Sequence, residues 1–355
     1  MSTKILSVKN HPELDPVAFL KRRYAGQKPS CVFAARRPAD AKAWQRKTAK
    51  HLSQTLGFQD LPKVPAKPEL IEEVDRKDHI RRKFTIQTLP GNRMPVYILI
   101  PKNIKGKTPA VIAFHGHGYG VKDIIGLWED GRERYTPDGY HKDFALELVR
   151  DGFIVAAPEI MAFGEHVPDQ SNVDPLFGQG EAAPCHLVAT WAMMLGGTLL
   201  GLRVLEARRV VDFLGTVKNI DMNRLGAMGI SGGGMHTFFS TCLDPRIKAC
   251  VISGYFCSWF DSILSMHHCI CNFVPGILNL GDLPDLAGLL APRPVLIEAG
   301  ARDGIFPIDA VRRDVKKLRS IYRLWNAADR VELDEFEGRH QISGARAYQF
   351  LKENL

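Results

Sequence analysis

The sequence predicts an α/β fold: a mostly parallel, mixed sheet with helices on both faces, preceded by a helical N-terminal extension. Short apolar runs typical of strands alternate with helical stretches over most of the chain, which indicates a mostly parallel sheet. The first two strand-like segments are separated by Pro90-Gly91, which predicts an antiparallel hairpin. The 355 residues are 45% hydrophobic and 24% charged, so a fibrous or mainly disordered chain is excluded.

Residues 1–80 are predicted to form a basic, mainly helical extension. Residues 1–83 carry 19 Lys and Arg against 9 Asp and Glu, whereas residues 84–355 carry 28 against 30, so the net charge of +8 originates in the N-terminal part. A basic arm can bind nucleic acid or an anionic membrane. These charges are interleaved with acidic residues, and no nucleic-acid-binding motif accompanies them. We therefore expect no nucleic-acid or membrane partner.

A proline-punctuated linker, residues 61–68, follows the helical part of this extension, and an α/β domain is predicted over residues 81–355. The predicted strands are Phe84–Leu89, Val96–Ile100, Ala110–Phe114, Phe153–Ala157, Arg224–Gly229, Ala249–Ser253, Val295–Ala299 and Arg330–Phe336. The predicted helices are His141–Arg150, His186–Leu214, one from Gly232, Asp309–Leu324 and one from Ser343. Insertions near residues 159–200 and 255–290 are expected to form walls over a site at the carboxyl ends of the strands.

Cysteine usage and apolar patterning predict a cytoplasmic protein. Seven cysteines are spread along the chain without the spacing of a disulfide framework, which is typical of reduced thiols. The N-terminus lacks the apolar run of a secretory signal. Two long uncharged stretches, Ala182–Leu202 and Ser262–Gly281, contain proline and histidine, so we predict buried or pocket-lining segments there and no membrane spans.

The sharpest motif is Gly229-Ile230-Ser231-Gly232-Gly233, which matches G-x-S-x-G and lies between a predicted strand and a predicted helix. A tight turn of this kind holds a serine in a strained backbone conformation with its Oγ exposed. The flanking glycines are needed because a Cβ would clash there. The motif therefore predicts a nucleophile elbow with Ser231 as the nucleophile; the competing interpretation is a glycine-rich turn with an incidental serine.

A serine nucleophile needs a histidine base that is held by an acid. In this fold class the acid and then the histidine follow the serine along the chain. Asp303 follows the strand Val295–Ala299, and His340 follows the strand Arg330–Phe336. Catalytic groups cluster at the carboxyl ends of such strands, so we predict Asp303 as the acid and His340 as the base. Weaker candidates for the acid are Asp261 and Glu298. His236 lies five residues into the predicted helix and is expected to be a packed or surface residue.

The loop His115–Gly120 follows the buried strand Ala110–Phe114 and is a candidate for half of an oxyanion hole. In hydrolases with a nucleophile elbow, a loop at this position supplies one backbone N–H, and the residue after the nucleophile supplies the other. We therefore predict the backbone N–H groups of His117 and Gly232 as the oxyanion hole.

Neither a metal nor a cofactor is predicted. His115 and His117 have no carboxylate or cysteine near them in the sequence, and the run His267–Cys271 (HHCIC) has crowded ligands without a second pair. We expect that run to be a pocket wall or buried thiols. The glycines of the His115–Gly120 loop and the segment Gly106-Lys107-Thr108 are incomplete matches to nucleotide-binding motifs.

Four motifs in this order, HGHG (115–118), GISGGG (229–234), GARDGIFP (300–307) and EGRH (337–340), resemble the α/β-hydrolase superfamily. The resemblance covers about residues 84–355 and is strongest to the bacterial dienelactone-hydrolase-like and acetyl-xylan-esterase-like branches. It implies an α/β-hydrolase fold and the roles argued above. Dienelactone hydrolases use a cysteine nucleophile, whereas this chain has Ser231, and the extension matches no motif of the family.

The predicted function is that of a serine carboxylesterase acting on a small-molecule ester, with acetylated small molecules or saccharides as candidates. The oligomeric state is not predicted. Candidate pocket residues within the two insertions are Phe163, Glu165, Trp191, Trp259 and Met266.

Two further functions are compatible with the sequence. A serine peptidase or amidase would share the triad and would need an acidic anchor for a substrate amine, for which Glu165 is the candidate. The oligopeptidase members of that class usually add a propeller, and no repeat is present. A binding or scaffold protein on an inactive hydrolase fold is also compatible, and the intact triad argues against it.

Overall fold

The computed structural model describes residues 8–9, 11–171 and 183–355, and within these ranges nine strands form one sheet. The strands are β1 (Glu69–Asp75), β2 (His79–Leu89), β3 (Asn92–Pro101), β4 (Thr108–Phe114), β5 (Ile154–Pro158), β6 (Ile220–Ile230), β7 (Ala249–Ser253), β8 (Val295–Gly300) and β9 (Val331–Phe336). The α-helices are α1 (Pro16–Ala25), α2 (Pro38–Leu56), α3 (Phe144–Arg150), α4 (Pro184–Met194), α5 (Leu199–Leu214), α6 (Gly232–Leu243), α7 (Leu283–Leu286), α8 (Ile308–Tyr322) and α9 (Ala347–Asn354).

The sheet is mixed, with the strand order β1-β2-β3-β5-β4-β6-β7-β8-β9. The pairs from β1 to β5 along this order are antiparallel, and all pairs from β5 to β9 are parallel. The predicted hairpin around Pro90-Gly91 is confirmed, because β2 and β3 pair directly across that turn. The parallel strands β4, β5 and β7 are buried along their lengths, as their continuous apolar sequences require.

Helices cover both faces of the sheet, so the predicted fold class is confirmed. On one face, α3 and α9 pack Phe144, Leu148 and Phe350 against the central strands. On the opposite face, α5, α6 and α8 bury their apolar sides. A sheet sandwiched in this way leaves the carboxyl ends of its parallel strands as the place where loops meet.

The N-terminal extension packs onto this α/β body. Helix α2 buries Leu52 and Leu56 in the core, and the side-chain amide of Gln45 donates to the carbonyl oxygens of Gly288 (2.9 Å) and Ala291 (2.7 Å). The predicted boundary at residue 81 divides the sheet, because β1 pairs with β2. Strand β1 is an exposed edge strand, so it lacks the apolar alternation by which a sequence reveals a strand.

The predicted helical region His186–Leu214 contains two helices in the structure, α4 and α5, at an angle of 98°. Gly196 between them has φ +83°, a conformation that favours glycine and ends a helix. The Thr198 side chain then caps α5 by accepting a hydrogen bond from the Gly201 N–H (2.9 Å). The insertion that contains this turn also includes residues 172–182, which lie outside the described residues.

No single described helix is long and apolar enough to cross a membrane, and α4 with α5 passes that test only as a bent pair.

Candidate active site

Ser231 occupies the turn between β6 and α6. Its backbone has φ +57° and ψ −121°, a conformation that a non-glycine residue keeps only where the surrounding structure imposes it. The Ser231 N–H donates to the carbonyl oxygen of Ser253 at the end of β7 (3.0 Å). The strained serine between a buried strand and a helix has the geometry of a nucleophile elbow.

Gly233 shows why the motif needs glycine behind the serine. A Cβ on Gly233 would overlap the carbonyl oxygen of Phe114 at the end of β4, and a Cβ on Gly229 would overlap the carbonyl oxygen of Gly233. The N-terminus of α6 can therefore approach the loop after β4 only without these side chains. This approach brings two separate backbone segments together beside Ser231.

Asp303 and His340 are joined by a hydrogen bond of 2.7 Å between the carboxylate Oδ2 and the imidazole Nδ1. The second carboxylate oxygen accepts the backbone N–H groups of Ile305 (2.8 Å) and Phe306 (3.2 Å), which fixes the orientation of the acid. His340 Nε2 is buried and has no hydrogen-bond partner among the described residues. With the proton on Nδ1, that nitrogen is a free acceptor, and His340 and Ser231 line the same cleft.

Glu298, which the sequence offers as a weaker candidate for the acid, holds the loop that carries His340. Its carboxylate is fully buried and accepts hydrogen bonds from the Ser253 hydroxyl (2.8 Å) and from the backbone N–H groups of Ser343 (3.0 Å) and Gly344 (2.8 Å). Burial raises the pKa of Glu298 to about 7, against the opposing effect of these hydrogen bonds. Glu298 therefore connects β8 to the histidine loop, whereas the imidazole Nδ1 is bonded to Asp303.

Asp261, the other weaker candidate for the acid, forms an ion pair elsewhere, and His236 is a packed residue, as the sequence predicts. Asp261 forms an ion pair with Arg313 (2.6 Å). His236 lies inside α6 against the ring of Phe114, and burial lowers its pKa well below the usual histidine value. Both findings leave Asp303 and His340 as the acid and the base that the structure brings together.

The loop after β4 is anchored by three side chains. His141 Nε2 accepts the Gly116 N–H (2.8 Å), His115 Nδ1 donates to the Gly116 carbonyl oxygen (2.8 Å), and the Tyr140 hydroxyl donates to the His117 carbonyl oxygen (2.6 Å). Burial lowers the pKa of His141 and raises the pKa of Tyr140, so the imidazole stays neutral and the phenol keeps its proton. These contacts occupy two carbonyl groups of the loop and fix its course.

The backbone N–H groups of His117 and Gly232 donate to no described residue. The two segments are adjacent: a Cβ built on Gly232 would lie 3.8 Å from the His117 nitrogen. Two free N–H groups beside a serine nucleophile are the parts of an oxyanion hole. The structure thus brings together both residues that the sequence predicted for this role.

A profile of the Abhydrolase family matches residues 17–350 of the chain. The chain belongs to the Abhydrolase family. The match begins inside the N-terminal extension, at α1, so it includes the helices that precede the sheet. The Bacillus subtilis (strain 168) protein YtaP, described as a hydrolase, is 26% identical over 290 residues, which cover 79% of this chain and 88% of YtaP.

Solved structures with this fold include esterases. A Bacteroides fragilis NCTC 9343 protein described as an acetyl xylan esterase is 22% identical with a TM-score of 0.75, covering 91% of this chain and 82% of its own. A glucuronoyl esterase from Solibacter usitatus is 16% identical with a TM-score of 0.62, and the match covers 90% of this chain and 97% of the esterase. At these identities the likeness shows the α/β-hydrolase fold.

In this abhydrolase, a cleft of about 300 Å³ contains Ser231 and His340 in its lining. The loop His115–Gly120, called the oxyanion loop below after its predicted role, contributes His117, and Tyr140 lies beside it. The other lining residues come from the second insertion and the loop after β8, and include Met266, His267, His268, Ile305 and Phe306. Of the five predicted pocket residues, Met266 is in this lining. The second predicted insertion therefore forms part of the cleft wall, whereas no described residue of the first insertion, near 159–200, is in the lining.

Four of the five predicted pocket residues lie outside that lining. The Phe163 ring packs edge-on against the rings of His115 and His117, behind the oxyanion loop. Glu165 pairs with Lys83 (2.5 Å) and Lys122 (3.6 Å). Trp191 is 66% exposed on α4, and Trp259 is buried in the core.

Sequence reasoning does not identify two groups of residues near the cleft. Tyr140 contacts the oxyanion loop, but no motif surrounds it. His117, Cys185, Cys269 and Cys271 place one nitrogen and three sulfur atoms within 4.8 Å of one another, although the sequence separates them widely. The pair Cys269-x-Cys271 is the only local signal, and its partners come from two separate segments.

Proposed function

We propose that this protein is a serine hydrolase that cleaves carboxylic esters through an acyl-enzyme on Ser231. The observation that carries the proposal is the Asp303–His340 hydrogen bond of 2.7 Å, with His340 Nε2 left unpartnered among the described residues in the cleft that contains the strained Ser231. Nucleophile, base and acid occupy the ends of three strands, which is the arrangement that acyl transfer requires.

The proposed cycle uses Ser231 as the nucleophile and His340 as both base and acid. His340 Nε2 takes the proton from the Ser231 hydroxyl as Oγ attacks the ester carbonyl, and Asp303 holds the imidazolium. The N–H groups of His117 and Gly232 stabilise the negative charge on the carbonyl oxygen. His340 then protonates the departing alcohol. A water molecule, deprotonated by the same nitrogen, releases the acyl group from Ser231.

The cleft favours an ester over a peptide. Its described lining contains histidine, tyrosine and asparagine side chains but no carboxylate, so it offers no anchor for a substrate amine. Glu165, the candidate anchor, is paired with two lysines outside the lining. Hydrogen-bonding side chains without a carboxylate suit a hydroxyl-rich substrate. The structural similarity to an acetyl xylan esterase and a glucuronoyl esterase supports a saccharide or small-molecule ester as the substrate. A cytoplasmic location stays a prediction, supported by seven free cysteines.

The test is a substrate panel on the full chain: p-nitrophenyl esters of increasing acyl length, acetylated sugars, and aminoacyl p-nitroanilides. We expect short-chain esters to be cleaved far faster than matched amides. A kcat/KM on an aminoacyl amide comparable to that on the ester would place the protein in the peptidase class. No hydrolysis of any member, together with no labelling of Ser231 by a fluorophosphonate, would support the inactive scaffold.

A further inference from the structure

Four side chains at the edge of the cleft form the only group of this kind in the described chain: His117, Cys185, Cys269 and Cys271, whose ligand atoms all lie within 4.8 Å of one another. They come from three segments, namely the oxyanion loop, helix α4 and the second insertion. Cys185 and Cys271 are buried, and His117 and Cys269 reach the cleft wall. Convergence of three thiols and one imidazole from distant segments is unlike the packing of small apolar side chains.

The spacing fits a tetrahedral metal ion. A zinc ion lies about 2.3 Å from sulfur and about 2.0–2.1 Å from nitrogen, so a tetrahedral site separates the two ligand atoms by about 3.6 Å. The distance from Cys271 Sγ to His117 Nε2 is 3.5 Å. The donor set of three thiolates and one imidazole selects zinc over the hard cations, which prefer oxygen ligands.

A buried arginine supplies a second observation. Arg203 is 1% exposed, and its guanidinium donates to Cys185 Sγ (3.3 Å) and to the Met161 carbonyl oxygen (2.7 and 3.0 Å). Among the hydrogen-bond partners of the Arg203 side chain in the described chain, only Cys185 Sγ can carry a negative charge. A buried charge needs a partner of opposite sign. Zn²⁺ with three thiolates and a neutral histidine has a net charge of −1, which Arg203 compensates.

We infer that His117, Cys185, Cys269 and Cys271 bind one structural Zn²⁺. Four protein ligands close the coordination sphere, as in structural zinc sites, and leave no open position for substrate. Binding deprotonates the cysteines and releases their protons to solvent. The ion ties helix α4 and the second insertion to the oxyanion loop. This inference is independent of the proposed esterase activity, because its test measures metal.

Zinc coordination also affects the cleft. A bond from Nε2 to the metal leaves the imidazole proton on Nδ1. His117 Nδ1 lies beside Gly232, the second residue of the proposed oxyanion hole, 3.0 Å from the position of a Cβ built on Gly232. The ion thus fixes the tautomer of a histidine in the cleft lining and presents an N–H donor next to the oxyanion hole.

The test is the zinc content of the purified full chain after reconstitution with Zn²⁺ and removal of free metal, measured by plasma mass spectrometry. We expect about one zinc per chain in the wild type and a loss of at least about fivefold in Cys185→Ala and Cys271→Ser. The matched control is Cys250→Ala, a buried cysteine on β7 outside the cluster, which keeps its zinc. Wild-type protein without stoichiometric zinc, or equal zinc in all four proteins, overturns the inference.

Two measurements on the wild type hold even if the cluster variants fail to fold. Co²⁺ in place of Zn²⁺ is expected to give the intense visible bands of a tetrahedral ion and sulfur-to-cobalt charge-transfer absorption. Weak octahedral bands contradict the assignment. The intact mass distinguishes the rival, a disulfide between two of these cysteines, since metal-free denatured protein then lacks two hydrogen atoms. That loss in protein prepared without oxidant also overturns the zinc site.

Discussion

The triad and the cysteine-lined wall face the same cleft but are built in different ways. Ser231, Asp303 and His340 each follow a strand of one rigid parallel sheet. The cysteine cluster of His117, Cys185, Cys269 and Cys271, of which His117 and Cys269 line the cleft, is assembled from a loop and two insertions. The sheet therefore determines whether the bond-breaking chemistry is present, and the insertions determine the shape and polarity of the cleft around it. His117 belongs to both regions, through its backbone N–H and its side chain.

The largest effect is expected at the nucleophile. Ser231→Ala removes covalent catalysis, and such triads lose on the order of 10⁴–10⁶ in kcat when the nucleophile is removed. Ser320→Ala, an exposed serine on α8, is the matched control and should keep wild-type activity. A Ser231→Ala enzyme with more than about a tenth of the wild-type kcat would show that Ser231 is not the nucleophile.

The next largest effect is expected at the acid. Asp303→Asn keeps the shape of the side chain but lets the wrong histidine tautomer form, which costs about 10⁴ in kcat in comparable triads. Asp309→Asn, an exposed aspartate at the start of α8, is the control. If Asp303→Asn were no slower than Asp309→Asn, another carboxylate would have to hold His340.

A substitution of Glu298, near the carboxyl end of β8, tests whether this part of the sheet makes the free energy of unfolding depend on pH. Its folded pKa of about 7 lies above the ordinary value of 4.5, so the folded protein holds a proton that the unfolded chain releases. The protonated Glu298 contributes its full stabilisation below about pH 4.5. As the pH rises to about 7 this contribution, about 3 kcal/mol of the free energy of unfolding, is lost.

Glu298→Gln should lack this pH dependence. The free energy of unfolding of the wild type, minus that of the variant, should fall between pH 4.5 and 7 and stay constant above. Urea unfolding at several pH values measures it. A difference that does not change with pH would show that the carboxyl group is ionised in the folded protein throughout.

A smaller effect is expected at Tyr140, which supports the oxyanion loop from the side. Tyr140→Phe removes the hydrogen bond to the His117 carbonyl oxygen, and a hydrogen bond of this kind contributes about 0.5–1.5 kcal/mol. We expect kcat to fall by up to about tenfold and the melting temperature to fall by no more than about 4 °C. A loss of about 10³ or more, the size of a lost oxyanion donor, would give the hydroxyl a direct role in the reaction.

The same contrast explains what could be predicted from sequence. Ser231, Asp303 and His340 could be predicted from nearby residues. The glycines around Ser231 indicate the turn, and the apolar strands before Asp303 and His340 indicate a position at a strand end. The strand β1 gives no such signal, because its exposed edge has no apolar pattern. The helix break at Gly196 has a local signal, the pair Gly196-Gly197, but the apolar composition that continues through it does not show the angle between the two helices. The cysteine cluster depends on contacts between segments that are far apart in the sequence, so the residues next to each cysteine do not predict it.

The most direct test of the proposed mechanism is covalent labelling of the wild-type chain with a fluorophosphonate, followed by peptide mass spectrometry. An activated serine beside a histidine base reacts with such a probe, whereas ordinary serines do not. We expect one adduct per chain, on the peptide that contains Ser231, and none in Ser231→Ala. No adduct on the folded wild-type protein, or an adduct on a different serine, would contradict Ser231 as the nucleophile.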